Sequence, residues 1–185
     1  MPNWCSNYVC FRGAETDITA LKNRIRERIA LSNDLGQGVM IHGLTPEQEK
    51  SGRFFFDLYI NEDGDPNDVS IQYESKWVPN PDELIEACKE FNVRAYLEYE
   101  ESGNCVFGKA IIDGSGIVKE DVVPHSVLTA IEYVEADEEK NEPDYYIHRP
   151  SGKTAHNEEA LIHDVYTFKF DMLDPAFQYK DEDGN

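Results

Sequence analysis

Histidines in the last third of this chain are candidates for metal binding or acid–base chemistry. His148, His156 and His163 lie in the last third, and Asp164 follows the third of them directly. A zinc site or a general base would need histidines at helical or short-loop spacing, with a carboxylate behind the ring. Gaps of eight and seven residues fit neither pattern. Surface histidines are therefore expected, and an enzyme with a histidine and carboxylate site in this region is kept as an alternative.

The stretch from Gly103 to Lys109 has the glycine and lysine spacing of a phosphate-binding loop. That chemistry requires a Ser or Thr after the lysine and a helix that starts at the loop. Ala110 occupies that position, and an apolar run follows it. The sequence therefore predicts a strand here instead of a nucleotide site.

Four oxygen-bearing side chains, Asp63, Asp65, Asn67 and Glu74, have the spacing of calcium ligands in an EF-hand loop. Asp68 stands where that loop needs a glycine for its sharp turn, and the flanking residues predict strands instead of helices. An acidic turn is the preferred interpretation. No metal site and no cofactor are predicted for any part of the chain.

Acidic residues dominate the charge of this chain, with 37 Asp and Glu against 17 Lys and Arg and a net charge of −20. Residues 113–185 hold 18 of the acids and only 6 of the bases. Such a field repels nucleic acid and attracts basic surfaces. We expect a basic protein partner, with no direct nucleic-acid contact and no membrane contact, and the sequence predicts no oligomeric state. The candidate partner-binding residues are Glu135, Asp137, Glu138, Glu139, Glu142 and Asp144.

The elements that must position these residues begin with a strand over Trp4–Arg12, where alternation ends at Gly13. Thr16 or Asp17 can cap the helix that follows. The apolar residues of that helix recur at helical spacing and predict one buried face. They are Ile18, Leu21, Ile25 and Ile29.

The order of the next elements predicts the fold class. Two strands, a helix that opens at Pro81 and ends at Asn92, and two further strands are expected. The strands are Phe54–Ile60, Val69–Trp77, Val93–Glu100 and its hairpin partner Asn104–Ile112. Two crossover units joined by a hairpin form a ferredoxin-like split βαβ sandwich, which is an α+β fold with an antiparallel sheet. The hairpin partner is then an added strand.

The last third is predicted as an acidic C-terminal α/β elaboration. Residues 1–112 are expected to form the ferredoxin-like domain, and residues 113–185 to pack on that same domain with a frayed tail at 178–185. Ile117–Val123 is expected as a strand or as part of one region with Ser126–Val134. Extended segments are expected at Tyr145–His148 and Val165–Phe170, with a short helix at Asn157–His163.

The cysteines indicate a reducing compartment. No two of Cys5, Cys10, Cys88 and Cys105 have CxxC spacing, so four reduced thiols in a cytoplasmic protein are expected. Cys5 and Cys10 are an odd number of residues apart on one strand and should face opposite sides of the sheet. A strand that starts at Trp4 leads us to expect no targeting peptide, and no apolar run is long enough to span a membrane.

An RNA-binding module is the second alternative function. A ferredoxin-like sheet can stack bases on aromatic side chains, and Tyr8, Tyr73 and Tyr99 are the candidates here. The negative net charge and the lack of an aromatic and basic motif oppose this function.

Three separated motifs resemble one protein family. They are Pro2-Asn3-Trp4-Cys5-Ser6-Asn7, then Glu74-Ser75-Lys76-Trp77-Val78-Pro79, and Tyr99-Glu100-Glu101-Ser102-Gly103 followed by Phe107-Gly108. Over residues 1–112 the chain resembles the Api92-like proteins of phages and plasmids. The resemblance implies a ferredoxin-like domain, a mobile-element origin and no assigned catalytic residues. With the charge, it leads us to expect a non-enzymatic acidic binding or inhibitor protein that acts on a basic host protein, one that itself binds nucleic acid.

Packing alone is an alternative explanation for several residues of these motifs. Trp4 and Trp77 would close the core at strand ends. Gly103 would serve a hairpin turn, and Gly108 would occupy a crowded position in a strand.

Overall fold

The computed structural model describes residues 3–35, 38–41, 55–62, 64–101, 103, 106–136 and 143–178. Contacts divide the chain into two compact units. Unit 1 comprises Met1–Asp121 and Phe170–Asn185, and unit 2 comprises Val122–Lys169. The sequence had placed the division after Ile112, whereas the chain stays within unit 1 for one more strand and returns to it at Phe170.

Unit 1 contains one six-stranded antiparallel sheet and two long helices. The elements in chain order are β1 (Trp4–Arg12), α1 (Glu15–Leu35), β2 (Phe56–Asn61), β3 (Asp68–Lys76), α2 (Pro81–Phe91), β4 (Arg94–Glu101), β5 (Val106–Asp113) and β6 (Gly116–Val122). The strand order is β2-β3-β1-β4-β5-β6. The strands β1 to β4 have the ferredoxin-like order, so that prediction is confirmed. β5 is the expected added strand, and β6 overlaps the extended segment expected at Ile117–Val123.

The position of β1 between two other strands of the sheet explains why many of its side chains are buried. It pairs with β3 on one side and β4 on the other, both antiparallel. Its odd-numbered residues from Cys5 to Phe11 face α1 and α2, where Val9 and Phe11 are fully buried. Cys10 lies in a separate apolar cluster on the other face. The prediction that Cys5 and Cys10 face opposite sides is confirmed.

A bulge in β2 changes which residues face the core. The sequence predicted Phe56, Leu58 and Ile60 on one face together with Phe54, which lies outside the described residues. Asp57 instead adopts a positive φ of 47°, and the register shifts between Phe56 and Tyr59. Because of the extra residue, Phe55 and Leu58 are both buried and Tyr59 is exposed. Leu58 and Ile60 thus face the core as predicted, whereas Phe55 takes the buried position that was expected for Phe56.

Short-range sequence signals at Pro81 and Asn92 predicted the start and the end of α2 correctly. Pro81 starts the helix, Asp82 and Glu83 lie in its first turn, and Asn92 ends it in the left-handed conformation with φ 50°. Proline tolerates the first helical turn because its missing N–H has no partner there, and acids there favour the positive end of the helix dipole.

Unit 2 is a three-stranded antiparallel sheet with two short helices. Its elements are α3 (His125–Leu128), β7 (Ile131–Val134), β8 (Tyr145–His148), β9 (Lys153–Ala155) and α4 (Glu158–Val165). The strand order is β7-β8-β9. Asn157 caps α4 by accepting the Ala160 N–H at 2.7 Å. The extended segment predicted over Val165–Phe170 begins one residue later, since α4 continues through Val165 and Tyr166 is the first residue with extended backbone angles.

Residues 170–178 pack on the sheet face opposite the helices. We call them the C-terminal segment. Phe177 is fully buried against Cys10, Tyr96 and Ile111. Gln178, predicted to fray, accepts a hydrogen bond from Arg12 through its side-chain oxygen at 2.7 Å. The rest of the predicted frayed tail, residues 179–185, lies outside the described residues.

We expect Cys5, Cys10 and Cys88 to resist alkylation in the native chain. All three are buried and free, and burial raises the pKa of Cys5 to about 12 and also raises the pKa of Cys10 and of Cys88. Because only the thiolate reacts, iodoacetamide at mildly alkaline pH should modify them at least about 100-fold more slowly than in urea. Mass spectrometry of the peptides measures each site, and equal rates in the native and unfolded chain would contradict the burial.

Candidate functional site

The predicted partner-binding residues lie on the connection between β7 and β8. The two strands pair antiparallel, and their last pair is Val134 with Tyr145. This pair closes a loop of residues 135–144, which we call the acidic loop. Its two described acids, Glu135 and Asp144, are both exposed. Asp137, Glu138, Glu139 and Glu142 lie outside the described residues.

Hydrogen bonds set the charge state around the base of the acidic loop. The Tyr133 hydroxyl donates to Asp144 Oδ2 at 3.0 Å. That bond, followed by desolvation and the charges of Asp144 and Glu135, raises the pKa of Tyr133. Glu132 instead accepts two hydrogen bonds from Arg149, and its pKa is lowered. The charge of Glu132 is thus compensated by Arg149, which directly follows β8, while the exposed side chains of Glu135 and Asp144 lie at the two ends of the acidic loop.

The three histidines are not grouped as metal ligands in the described part of unit 2. His148 is opposite Lys153 in the β8–β9 ladder, and its Nδ1 lies 2.8 Å from Ser151 Oγ. His156 and His163 are exposed. Among the described residues, no group of three or more His, Cys, Asp or Glu side chains is arranged to hold a metal ion.

Lys109 lies in β5 and has no role in a phosphate-binding loop. Its ammonium group donates to Glu98 Oε1 at 2.7 Å, and the Tyr96 hydroxyl donates to the same oxygen at 2.6 Å. The strand predicted for this region is confirmed.

The calcium-like spacing does not produce a calcium loop. Asp65 accepts the Asn67 N–H at 2.9 Å within a turn, and Glu74 belongs to β3. Asp63 lies outside the described residues.

The prediction that Tyr8, Tyr73 and Tyr99 share one sheet face on which RNA bases could stack is wrong. Tyr73 and Tyr99 both point into the core between the sheet and the helices, and they are 3% and 7% exposed. Tyr8 lies on the opposite face, where it packs beside the cluster of Phe177. The register explains the separation, because Tyr73 and Tyr99 both pair with Asn7, the neighbour of Tyr8 in β1.

The separated motifs converge at one end of the sheet, which the sequence alone did not reveal. Cys5 pairs with Ser75 across β1 and β3. Asn7 is 4% exposed and donates through Nδ2 to the Cys5 carbonyl at 2.7 Å and to Ser75 Oγ at 2.9 Å. The Ser75 hydroxyl donates in turn to the Val78 carbonyl at 2.8 Å. We call Cys5, Asn7, Tyr73, Ser75 and Asn80 the motif cluster.

The remaining bonds of the motif cluster reach the start of α2. The Tyr73 hydroxyl donates to Asn80 Oδ1 at 2.6 Å. Burial raises the pKa of Tyr73, as it does that of Cys5. Both groups are therefore neutral hydrogen-bond donors at neutral pH, and neither supplies a nucleophile. The cluster ties β1, β3 and α2 together in the core.

The two tryptophans of the motifs do not close the core as expected. Trp4 is 40% exposed and Trp77 is 48% exposed. Trp4 packs edge-on against Phe56 with ring centroids 5.0 Å apart. By contrast, a Cβ on Gly108 would lie 2.3 Å from the Tyr99 hydroxyl, so the expected crowding at Gly108 is present.

A comparison with protein families gives one match. The family model is described as the ferredoxin-like domain in Api92-like protein, and it covers residues 55–147. The match extends to residues 113–147, which contain none of the three motifs, and the opening motif lies outside it. Comparisons with curated proteins and with solved structures return no match. In the described part of the chain, no helix is long and apolar enough to cross a membrane.

Proposed function

We propose that this chain, which belongs to the Api92-like family with a ferredoxin-like domain, is a non-enzymatic acidic protein that binds a basic protein partner. The family carries no assigned activity, so the proposal rests on the surface of the chain itself. The observation that carries it is the closure of the acidic loop by the β7–β8 hairpin.

The hairpin concentrates charge on a small scaffold. Residues 135–144 contain six acids and a single lysine, and the pairing of Val134 with Tyr145 brings the two ends of that run together. Glu135 and Asp144, the described acids of this run, are exposed. Exposed carboxylates favour a complementary positive surface, mainly by accelerating association and selecting the partner. This geometry supports a rim of electrostatic contacts, each worth about 0.2–1 kcal/mol.

In its more specific form, the proposal is that this chain inhibits its partner by occupying the partner's binding site for nucleic acid. A carboxylate-rich surface competes for the basic groove of a host nucleic-acid-binding protein and excludes its DNA or RNA. The mobile-element origin implied by the resemblance, together with the host cytoplasm as the compartment, fits such a role. The chain itself then does not bind nucleic acid.

A charge-neutralised variant tests the proposal. It carries Glu→Gln at residues 135, 138, 139 and 142 and Asp→Asn at residues 137 and 144. Binding of a fluorescent peptide rich in lysine and arginine is followed by anisotropy. We expect the wild-type affinity to exceed that of the variant by about tenfold or more, and to fall steeply between about 0.05 M and 0.3 M salt.

A matched variant separates a local site from net charge. It neutralises six exposed acids elsewhere, namely Glu15, Glu27, Asp57, Asp65, Glu86 and Glu159. We expect it to retain most of the wild-type affinity. Equal losses in the two variants would reject the acidic loop as the site, and retention of mixed DNA and RNA oligonucleotides on a filter by the wild type would contradict the inhibitor role.

A further inference from the structure

The sheet face opposite the helices is covered by the C-terminal segment. Phe177 of the C-terminal segment is fully buried, with its ring centroid 5.8 Å from that of Tyr96. The Arg12 guanidinium lies 4.9 Å from the Phe177 centroid. Phe170 meets Tyr96 edge-on at 6.4 Å. One aromatic side chain is thus held between a tyrosine and an arginine of two neighbouring strands.

Cationic side chains from three strands hold the polar groups of the segment. Arg94 of β4 donates through Nη1 to the Ala176 carbonyl at 2.8 Å and to the Gln178 carbonyl at 3.2 Å. Lys119 of β6 donates to both carboxylate oxygens of Asp174 at 2.7 Å. The hydrogen bond from Lys119 and another from the Ala176 N–H lower the pKa of Asp174. These contacts favour a peptide with a carboxylate at the position of Asp174 and with the backbone carbonyls of Ala176 and Gln178 turned towards Arg94.

A turn within the C-terminal segment positions the Asp174 and Phe177 side chains against the sheet. Asp174 Oδ1 accepts the Ala176 N–H at 2.8 Å, and the Asp174 carbonyl accepts the Phe177 N–H at 2.9 Å. This turn aims the Asp174 carboxylate at Lys119 and the Phe177 ring at Tyr96. Leu173, four residues before Phe177, is 81% exposed. Recognition is therefore concentrated in a few anchors, as in peptide–groove complexes.

We propose that the face formed by β1, β4, β5 and β6 is a peptide-binding groove that recognises an acidic turn followed by an aromatic ring, and that residues 170–178 occupy it as an intramolecular ligand. The external partner that fits is a segment of another protein with an Asp three residues before a Phe. Tethering gives the chain's own segment an effective concentration in the millimolar range, so an external peptide binds only when this segment is displaced.

Binding of a fluorescein-labelled peptide of residues 168–178 to the full chain tests the groove. The wild type is compared with Phe177→Ala, which removes the aromatic anchor of the tethered segment. We expect the peptide to bind Phe177→Ala at least about tenfold more tightly than wild type. A second variant, Asp174→Asn, leaves the apolar contacts in place and should give a smaller increase in affinity. Leu173→Ala, altered at an exposed position, should match wild type.

Changes in the peptide identify the anchors. A peptide with Ala at the position of Phe177 should lose binding to the Phe177→Ala chain, and one with Asn at the position of Asp174 should bind more weakly and with less dependence on salt. Failure of the unmodified peptide to bind either folded variant would overturn the groove. Equal binding to wild type and variants would overturn its occupation by the tethered segment, as would a wild-type dimer in light scattering that Phe177→Ala dissociates.

Discussion

An Asn7→Asp variant is expected to lose about 3–5 kcal/mol of unfolding free energy at neutral pH. Asn7 is almost fully buried, and its Nδ2 donates to the Cys5 carbonyl and to Ser75 Oγ. A carboxylate oxygen in that place would face two acceptors, because the Ser75 hydroxyl already donates to the Val78 carbonyl. Removing both hydrogen bonds while burying a charge combines the two most costly changes available at this position.

The loss should depend on pH in a defined direction. Burial beside acceptors raises the folded-state pKa of the new Asp above its unfolded value of about 3.9. The protonated carboxyl can donate to the Cys5 carbonyl, so the destabilisation is smallest below that value and grows as pH rises towards the folded-state pKa. Urea unfolding at acidic and neutral pH measures the slope. Asn23→Asp on the exposed surface of α1 is the control and should change stability by less than about 0.5 kcal/mol. A pH-independent loss would contradict a buried site.

Replacement of Gly108 by Ala is expected to destabilise the chain by about 3 kcal/mol. Gly108 pairs with Tyr99 across β4 and β5. An added Cβ would lie 2.3 Å from the Tyr99 hydroxyl oxygen and 2.5 Å from the ring carbon that bears it. Because Tyr99 is 7% exposed and packed in the core, its ring has little room to move. Thermal or urea unfolding measures the loss.

Two further variants separate this overlap from a general cost of losing a glycine. In a Tyr99→Leu background the ring is absent, and Gly108→Ala should cost about 2 kcal/mol less than in the wild type. Gly103→Ala is the matched glycine, since its Cβ would meet the ends of the Asn3 and Glu101 side chains at 2.4 Å and 2.7 Å. Those ends can shift, so a loss below about 1 kcal/mol is expected. Similar losses at Gly103 and Gly108, unrelieved by Tyr99→Leu, would rule out the proposed clash.

The local elements of the ferredoxin-like domain were predictable because their signals are short-range. The predicted bounds of β1 agree with the structure, and Pro81 and Asn92 bracket α2 as expected. Alternation fixes which residues of one strand share a face, so the opposite orientation of Cys5 and Cys10 followed from their spacing. The excess of acidic over basic residues was likewise predictable, because it depends on composition alone.

Other features depended on contacts between residues that are far apart in the chain. The bulge at Asp57 places Phe55 in the core where Phe56 was expected, and no local sequence pattern indicates it. Tyr8, Tyr73 and Tyr99 were separated by the register of three strands, which parity within each strand does not set. The hydrogen bonds within the motif cluster span up to 68 positions along the chain.

The sequence by itself determined the order of the first strands and helices, the face of each residue within a regular strand, and the sign of the charge. Only the tertiary structure decided that Phe177 returns to cover Tyr96, and that three cations from separate strands meet the segment that carries it. The physical reason is the range of the interactions. Hydrogen-bond capping and alternation act over a few residues, whereas the contacts of Phe177 with the sheet exist only after strands distant in sequence have paired.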